Sequence, residues 1–313
     1  MQTPEVEKPV ASAEEPEAPA TPDTLLETAK STENKGDFRQ AAQLYQQILE
    51  KQPDDQEVEL SLADSTRRSG DSDKAIALYD ALLAQDANNL PAKEGKALAL
   101  IAKGDFITPG PLLEEVIKAD PTRWKTLNAL GILFTTRGME PEAQLYFKAA
   151  LKVKPDSPSI TNNLGLTQAL SRQYDTATAT LTTAESLTTP GSIEHQRIDL
   201  NEALVYAIQG KTAAARSIAE KYYSGAELDN NMGLYAHLAH DDQEAKAYLN
   251  MALTESKVYY QKPWDNLQAM GTDSTDASQP KTPNALATLA PAAGAPAFDE
   301  KGLEDIVTGK AKK

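Results

Sequence analysis

The chain has 313 residues and a formal net charge of −15, with 40% hydrophobic but only 6% aromatic content. The excess of acid argues against nucleic acid or an anionic membrane surface as partner, because both are bound through clustered Lys and Arg. With no cysteine in the chain, disulfides, thiolate metal sites and cysteine nucleophiles are excluded.

Residues 1–22 hold five Pro, five Glu and one Lys. Such a segment cannot bury enough apolar surface to offset its chain entropy, so an extended, disordered tether is expected there. No apolar stretch approaches the ~20 residues of a membrane span, and no secretory segment follows Met1. As given, the chain is expected to be soluble. Residues 23–270 read as almost continuous amphipathic helix, broken by Gly, Asp, Asn and Pro. An all-α body is expected. Residues 271–313 lose that periodicity and are expected to form a disordered tail with a short helix at 298–307. There Phe298, Leu303, Ile306 and Val307 share one helical face, as either a docking motif or a frayed end.

The body repeats. Gly36, Gly70, Gly104 and Gly138 lie 34 residues apart. Ala41, Ala75, Ala143 and Ala177 keep the same period, and Tyr45, Tyr79 and Phe147 follow four positions later, one helical turn along the same face. Pro53, Pro121 and Pro155 close units, with Ala87 in that slot of the second. Two antiparallel helices joined by a Gly turn approach closely where small residues meet. The spacing predicts that Gly131 faces Ala143, that Phe147 and Ala150 face the next pair, and that Pro155 ends the second helix.

Seven units are expected between residues 22 and 259. In the third, Pro109 occupies the usual Ala position, so its second helix should start late, with Pro111 in the first turn. Between the fifth and sixth, Gly165 to Ala203 spans 38 residues, a slip of four. After the seventh, Val258, Tyr259, Trp264 and Leu267 fall at helical spacing and should cap the apolar face of the last pair, with a binding hot spot as the alternative for Trp264.

This pattern resembles the tetratricopeptide repeat at nearly every signature position. The resemblance implies an all-α, right-handed superhelical solenoid of helix–turn–helix repeats with a C-terminal capping helix. It also implies a groove that binds a protein or peptide. No phosphate loop, dinucleotide fingerprint or nucleophile elbow occurs, so no catalytic residue and no cofactor is assigned, and an enzyme is not expected. His237 and His240 stand beside Asp241 and Asp242, a set able to bind a metal from one helical face. The preferred reading places "HDD" in the turn where other units carry "GD", and no metal site is assigned.

In the repeat family the first helices line the concave face. Two positions before the small residue, the last three units carry Asn163, Asn201 and Asn231. An amide offers both donor and acceptor, so these three are expected to pair with the backbone of an extended peptide, at a position that matches a peptide-binding one of the family; the alternative is that asparagine is simply tolerated there or caps a turn. Tyr206 and Tyr235 are their expected neighbours, with core packing as the alternative for Tyr206. Lys93, Lys96 and Lys125 either hold acidic groups or are solvated.

The fifth to seventh units and the segment after them, from Asn162-Asn163-Leu164-Gly165 to Trp264, are similar to the TadD-type repeat lipoproteins of bacterial Flp/Tad pilus assembly. That resemblance implies a secretin or another pilus component as partner. It also implies the periplasm or outer membrane, with membrane association only through a lipid anchor that this chain does not carry. The other reading is a cytoplasmic or periplasmic adaptor unrelated to pili.

Overall fold

The computed structural model describes residues 21–256 and 261–271. Among them are fifteen α-helices and no strand, packed as consecutive pairs. The chain divides between Gly95 and Lys96 into two compact units. The first holds α1 (Pro22–Asn34) with α2 (Phe38–Lys51) and α3 (Gln56–Arg68) with α4 (Ser72–Gln85). The division falls inside α5 (Leu90–Ala102). The second unit continues with α6 (Pro109–Ala119), then α7 (Trp124–Thr136) with α8 (Glu140–Val153), and α9 (Pro158–Leu170) with α10 (Tyr174–Ser186). It ends with α11 (Ile193–Ile208) and α12 (Thr212–Ala219), α13 (Gly225–Leu238) and α14 (Asp242–Glu255), and α15 (Gln261–Gly271).

One turn joins the helices within each pair. Gly36, Gly70, Gly104 and Gly138 have φ of 84°, 95°, 88° and 68°, the left-handed region where a side chain is costly. The next N–H then reaches the carbonyl five residues back: Asp37 to Thr32 at 3.2 Å, Met139 to Phe134 at 2.9 Å. That is the Schellman closure of a helix C-terminus. The aspartate after the glycine starts the second helix, because its carboxylate accepts a backbone N–H: Asp37 from Gln40 at 3.0 Å, Asp71 from Lys74 at 3.1 Å. Arg172 (φ 61°) and His240 (φ 63°) hold the left-handed place in the fifth and seventh pairs. Asp241 caps α14 by accepting from Glu244 N–H at 2.9 Å, so the "HDD" run forms the turn.

The packing corrects one expectation. Gly131 does not mainly serve Ala143; it makes room for the ring of Phe147, which a Cβ at Gly131 would approach to 2.6 Å. Phe147 therefore packs inside its own pair. Leu181 fills the same notch at Gly165 and Leu249 at Gly233, where a Cβ would come to 2.9 and 2.7 Å. The alanine contributes its backbone: the same Cβ atoms would lie 3.4 Å from Ala177 O and 3.2 Å from Ala245 O. In the first unit Tyr79 uses Gly95 of the following helix in this way, and its hydroxyl donates to Asp64 Oδ1 at 2.6 Å.

The irregular units keep the plan. α6 starts late at Pro109, as expected, and Arg137 Nη2 donates to Phe106 O at 3.2 Å beside it. α12 has only eight residues. α15 covers the last pair: Met270 is buried with Ala236, Ala245 and Leu249, and Leu267 packs against them. Val258, Tyr259, the side chain of Trp264, most of the expected tether and the whole 298–307 segment lie outside the described residues.

Because the notch is already filled, Gly131→Ala should destabilise the protein by about 1–3 kcal/mol through overpacking, despite the ~1 kcal/mol that helix propensity gives alanine. Urea unfolding measures it, and adding Phe147→Leu should recover most of the loss. On α6, burial pushes the Glu114 carboxyl pKa up, and Arg137 only partly opposes it. A raised native pKa means that the folded protein binds the extra proton, so this contribution is lost as pH rises through the carboxylate range. Glu114→Gln should therefore gain melting temperature relative to wild type between about pH 4 and 7. An offset that is flat with pH would show that burial of Glu114 does not act this way.

Candidate functional site

In the unit that begins at Lys96, α7 touches α9, α9 touches α11 and α11 touches α13, besides each helix's contacts with its own pair. The first helices thus form a continuous layer, and asparagines run along it. Asn163 Nδ2 on α9 donates to Asn128 Oδ1 on α7 at 3.1 Å. Asn201 Nδ2 on α11 donates to Asn162 Oδ1 on α9 at 2.7 Å. The rule is simple. The amide two positions before one unit's small residue donates to the amide three positions before the preceding unit's small residue.

Where the rule lacks a partner, the side chain turns away. The matching place on α11 is Leu200, which has no side-chain acceptor, and Asn231 Nδ2 donates instead to Glu227 O in its own helix at 2.8 Å. Leu200 contributes its backbone carbonyl, which accepts from Tyr235 Oη at 3.1 Å. Asn230 on α13 accepts from Asn266 Nδ2 on α15 at 3.0 Å, so the cap joins the series. Spacing singles out Asn163, Asn201 and Asn231, but their expected use changes: the donors of Asn163 and Asn201 tie repeats together. Spacing passes over Asn128, Asn162, Asn230 and Asn266, although three of them share one repeat position.

The two tyrosines differ. Tyr235 is 9% exposed and belongs to the core with Ala203, Ala207 and Met232, and burial pushes its hydroxyl pKa up to about 12. It presents little surface to a partner. Tyr206 is half-buried, with Lys211 Nζ 5.7 Å from the ring centroid, and burial and the neighbouring Glu202 raise its pKa. Of the other candidates, Lys125 lies over the Trp124 ring at 5.8 Å, and His237 Nδ1 is 2.8 Å from Asp242 Oδ1.

Residues 26–90 and 60–106 match the family model of the tetratricopeptide repeat (TPR). A TPR protein from Parabacteroides merdae superposes with a TM-score of 0.55 at 18% identity, over 79% of this chain and 97% of that one. A thermophilic TPR protein of Thermus thermophilus gives 0.52 at 19%, over 58% and 98%. The Cut9–Hcn1 hetero-tetramer of the APC/C gives 0.56 at 15%, over 79% and 49%. The fold is the TPR fold. No curated protein matches the chain.

On this TPR layer the chemistry left to a ligand is mainly that of acceptors. Among the described residues, no hydrogen bond reaches Asn201 Oδ1 or Asn231 Oδ1. The next residue in the chain, Glu202, belongs to another cluster: burial, with the charges of Glu185 and Asp199, pushes its carboxyl pKa up. The open amide oxygens of the first-helix layer favour N–H donors.

The ties themselves are testable. Asn163→Ala and Asn201→Ala should each lower stability by about 0.5–1.5 kcal/mol, the usual net worth of a hydrogen bond. Asn231→Ala breaks no link between helices and should stay within ~0.5 kcal/mol. Urea midpoints compare the three, and equal losses would refute the pairing rule.

Proposed function

We propose that this chain is a protein-interaction scaffold that binds an extended, neutral or basic segment along the first-helix layer, between Asn163 and Asn231. TPR proteins are generally scaffolds rather than enzymes. The supporting observation is the pair of carbonyl oxygens at Asn201 and Asn231, with Asn201 oriented by its tie and both open to the backbone N–H groups of a partner. The net charge of −15 favours a partner of opposite sign. That TPR folds engage other chains agrees with the Cut9–Hcn1 hetero-tetramer.

The finer reading is a role in Flp/Tad pilus or secretin assembly, at the periplasmic or outer-membrane side of the cell envelope. Its support is the similarity of residues 162–264 to TadD-type lipoproteins. In this reading residues 1–22 are a tether to the envelope, 23–270 the binding body and 271–313 a tail.

Capture from a bacterial envelope extract tests both levels. Asn201→Ala with Asn231→Ala should weaken partner recovery by about 1–3 kcal/mol for each desolvated amide removed, and recovery should fall as salt rises. A secretin or other pilus component recovered by wild type but not by the variant supports the full reading. Loss of a protein unrelated to pili keeps the scaffold and removes the pilus assignment. Equal recovery by both proteins removes the first-helix layer as the site.

A further inference from the structure

The slip between the fifth and sixth units assembles a second polar site. Glu185 lies in the last turn of α10, and the connection that follows carries Thr188 and Gly191, whose φ of 79° turns the chain into α11. Ser192 caps α11 by accepting from His195 N–H at 3.1 Å. His195 and Asp199 lie four apart on α11, on one face.

The hydrogen bonds fix the histidine tautomer. Thr188 Oγ1 donates its proton to Glu185 O at 2.6 Å. The same oxygen lies 2.9 Å from His195 Nδ1, so there it accepts, and Nδ1 carries the hydrogen. In the neutral ring the lone pair is then on Nε2. That atom faces Glu185 Oε1 at 3.6 Å and Asp199 Oδ1 at 3.9 Å, and the three lie within 4.8 Å of one another. Asp199 is 3% exposed, and its other oxygen accepts from Tyr222 Oη at 2.6 Å and Lys221 Nζ at 3.2 Å. These contacts hold Oδ1 toward His195.

We propose that Glu185 Oε1, His195 Nε2 and Asp199 Oδ1 form a three-ligand site for a divalent transition metal of the zinc class. One imidazole and two carboxylates are ligands of that class, at ~2.0–2.2 Å from the ion. Reaching it takes a modest contraction, shared by the Glu185 side chain, 36% exposed, and by the His195 ring closing on the pinned Asp199 Oδ1. Magnesium and calcium prefer all-oxygen shells and gain little from an imidazole. Thr188 on Nδ1, and Tyr222 with Lys221 on Oδ2, supply the outer contacts that orient metal ligands. Lys221 pairs with Asp199, and Glu202 feels the charges of Glu185, Asp199 and Lys221, so the neighbourhood is rich in carboxylate. A bound ion would lock the end of α10 onto α11 across the irregular connection.

Isothermal titration of the full chain with zinc chloride tests this. The expected result is one tight site, with a rise in melting temperature that magnesium chloride does not give. His195→Ala should lose more than the ~10–100-fold in affinity typical of an outer contact, and Thr188→Val should lose an amount within that range. Glu185→Gln removes a ligand without touching the buried Asp199 network, which keeps the test independent of folding. His237→Ala should leave binding unchanged. Zinc binding no tighter than magnesium, as for an imidazolium simply paired with two carboxylates, would overturn the proposal. So would zinc binding equally to wild type and His195→Ala.

Discussion

The close approach of two helices at a missing side chain governs this architecture. At Gly131, Gly165 and Gly233 a Cβ would collide with Phe147, Leu181 or Leu249. The large residue and the vacant place are one feature seen from two helices. Interiors pack at crystal-like density, so this fit sets the separation of a pair. The separation in turn decides which side chains remain at the surface of the first helices. The asparagine series runs along that surface from one pair's first helix to the next, where amides bond only at a narrow range of distances.

The turn is the second constraint, and it is mostly backbone chemistry. A left-handed residue followed by aspartate ends one helix and begins the next within a few atoms, and glycine is the least strained occupant. Arg172 and His240 show that the geometry persists when glycine is replaced. The strain this places on a side chain, of order 1–2 kcal/mol, is carried by the hydrogen bonds on either side. Asp241 N–H still reaches Ala236 O at 2.9 Å.

Much of this is legible in the residues, because the repeat phase depends on local chemistry. Gly36, Gly70, Gly104 and Gly138 announce the turn, Pro109 announces a late helix, and the residues around Leu267 announce a cap. What spacing alone does not supply is the neighbour. Phe147 has the expected phase, but phase does not say which helix the ring leans on. Asn163 and Asn201 stand at a recognisable position, yet their partners lie 35 and 39 residues away in the preceding units. Glu185, Thr188 and His195 meet only because the register slips, and a search for regularity passes over the place where it fails.

The asparagine ties also have a direction. Asn163, Asn201 and Asn266 each donate to a residue earlier in the chain. Every link therefore needs a particular amide on its upstream neighbour as well as on its own helix. The helix pairs look alike in outline but are not interchangeable modules: exchanging two of them would strand donors and acceptors at the new seams. The interruption is at Leu200, where Tyr235 bridges to a backbone carbonyl before the series resumes at Asn230 and Asn266. Pair order is thus written into the polar seams, while the notches at Gly131, Gly165 and Gly233 lie inside single pairs and would travel with them.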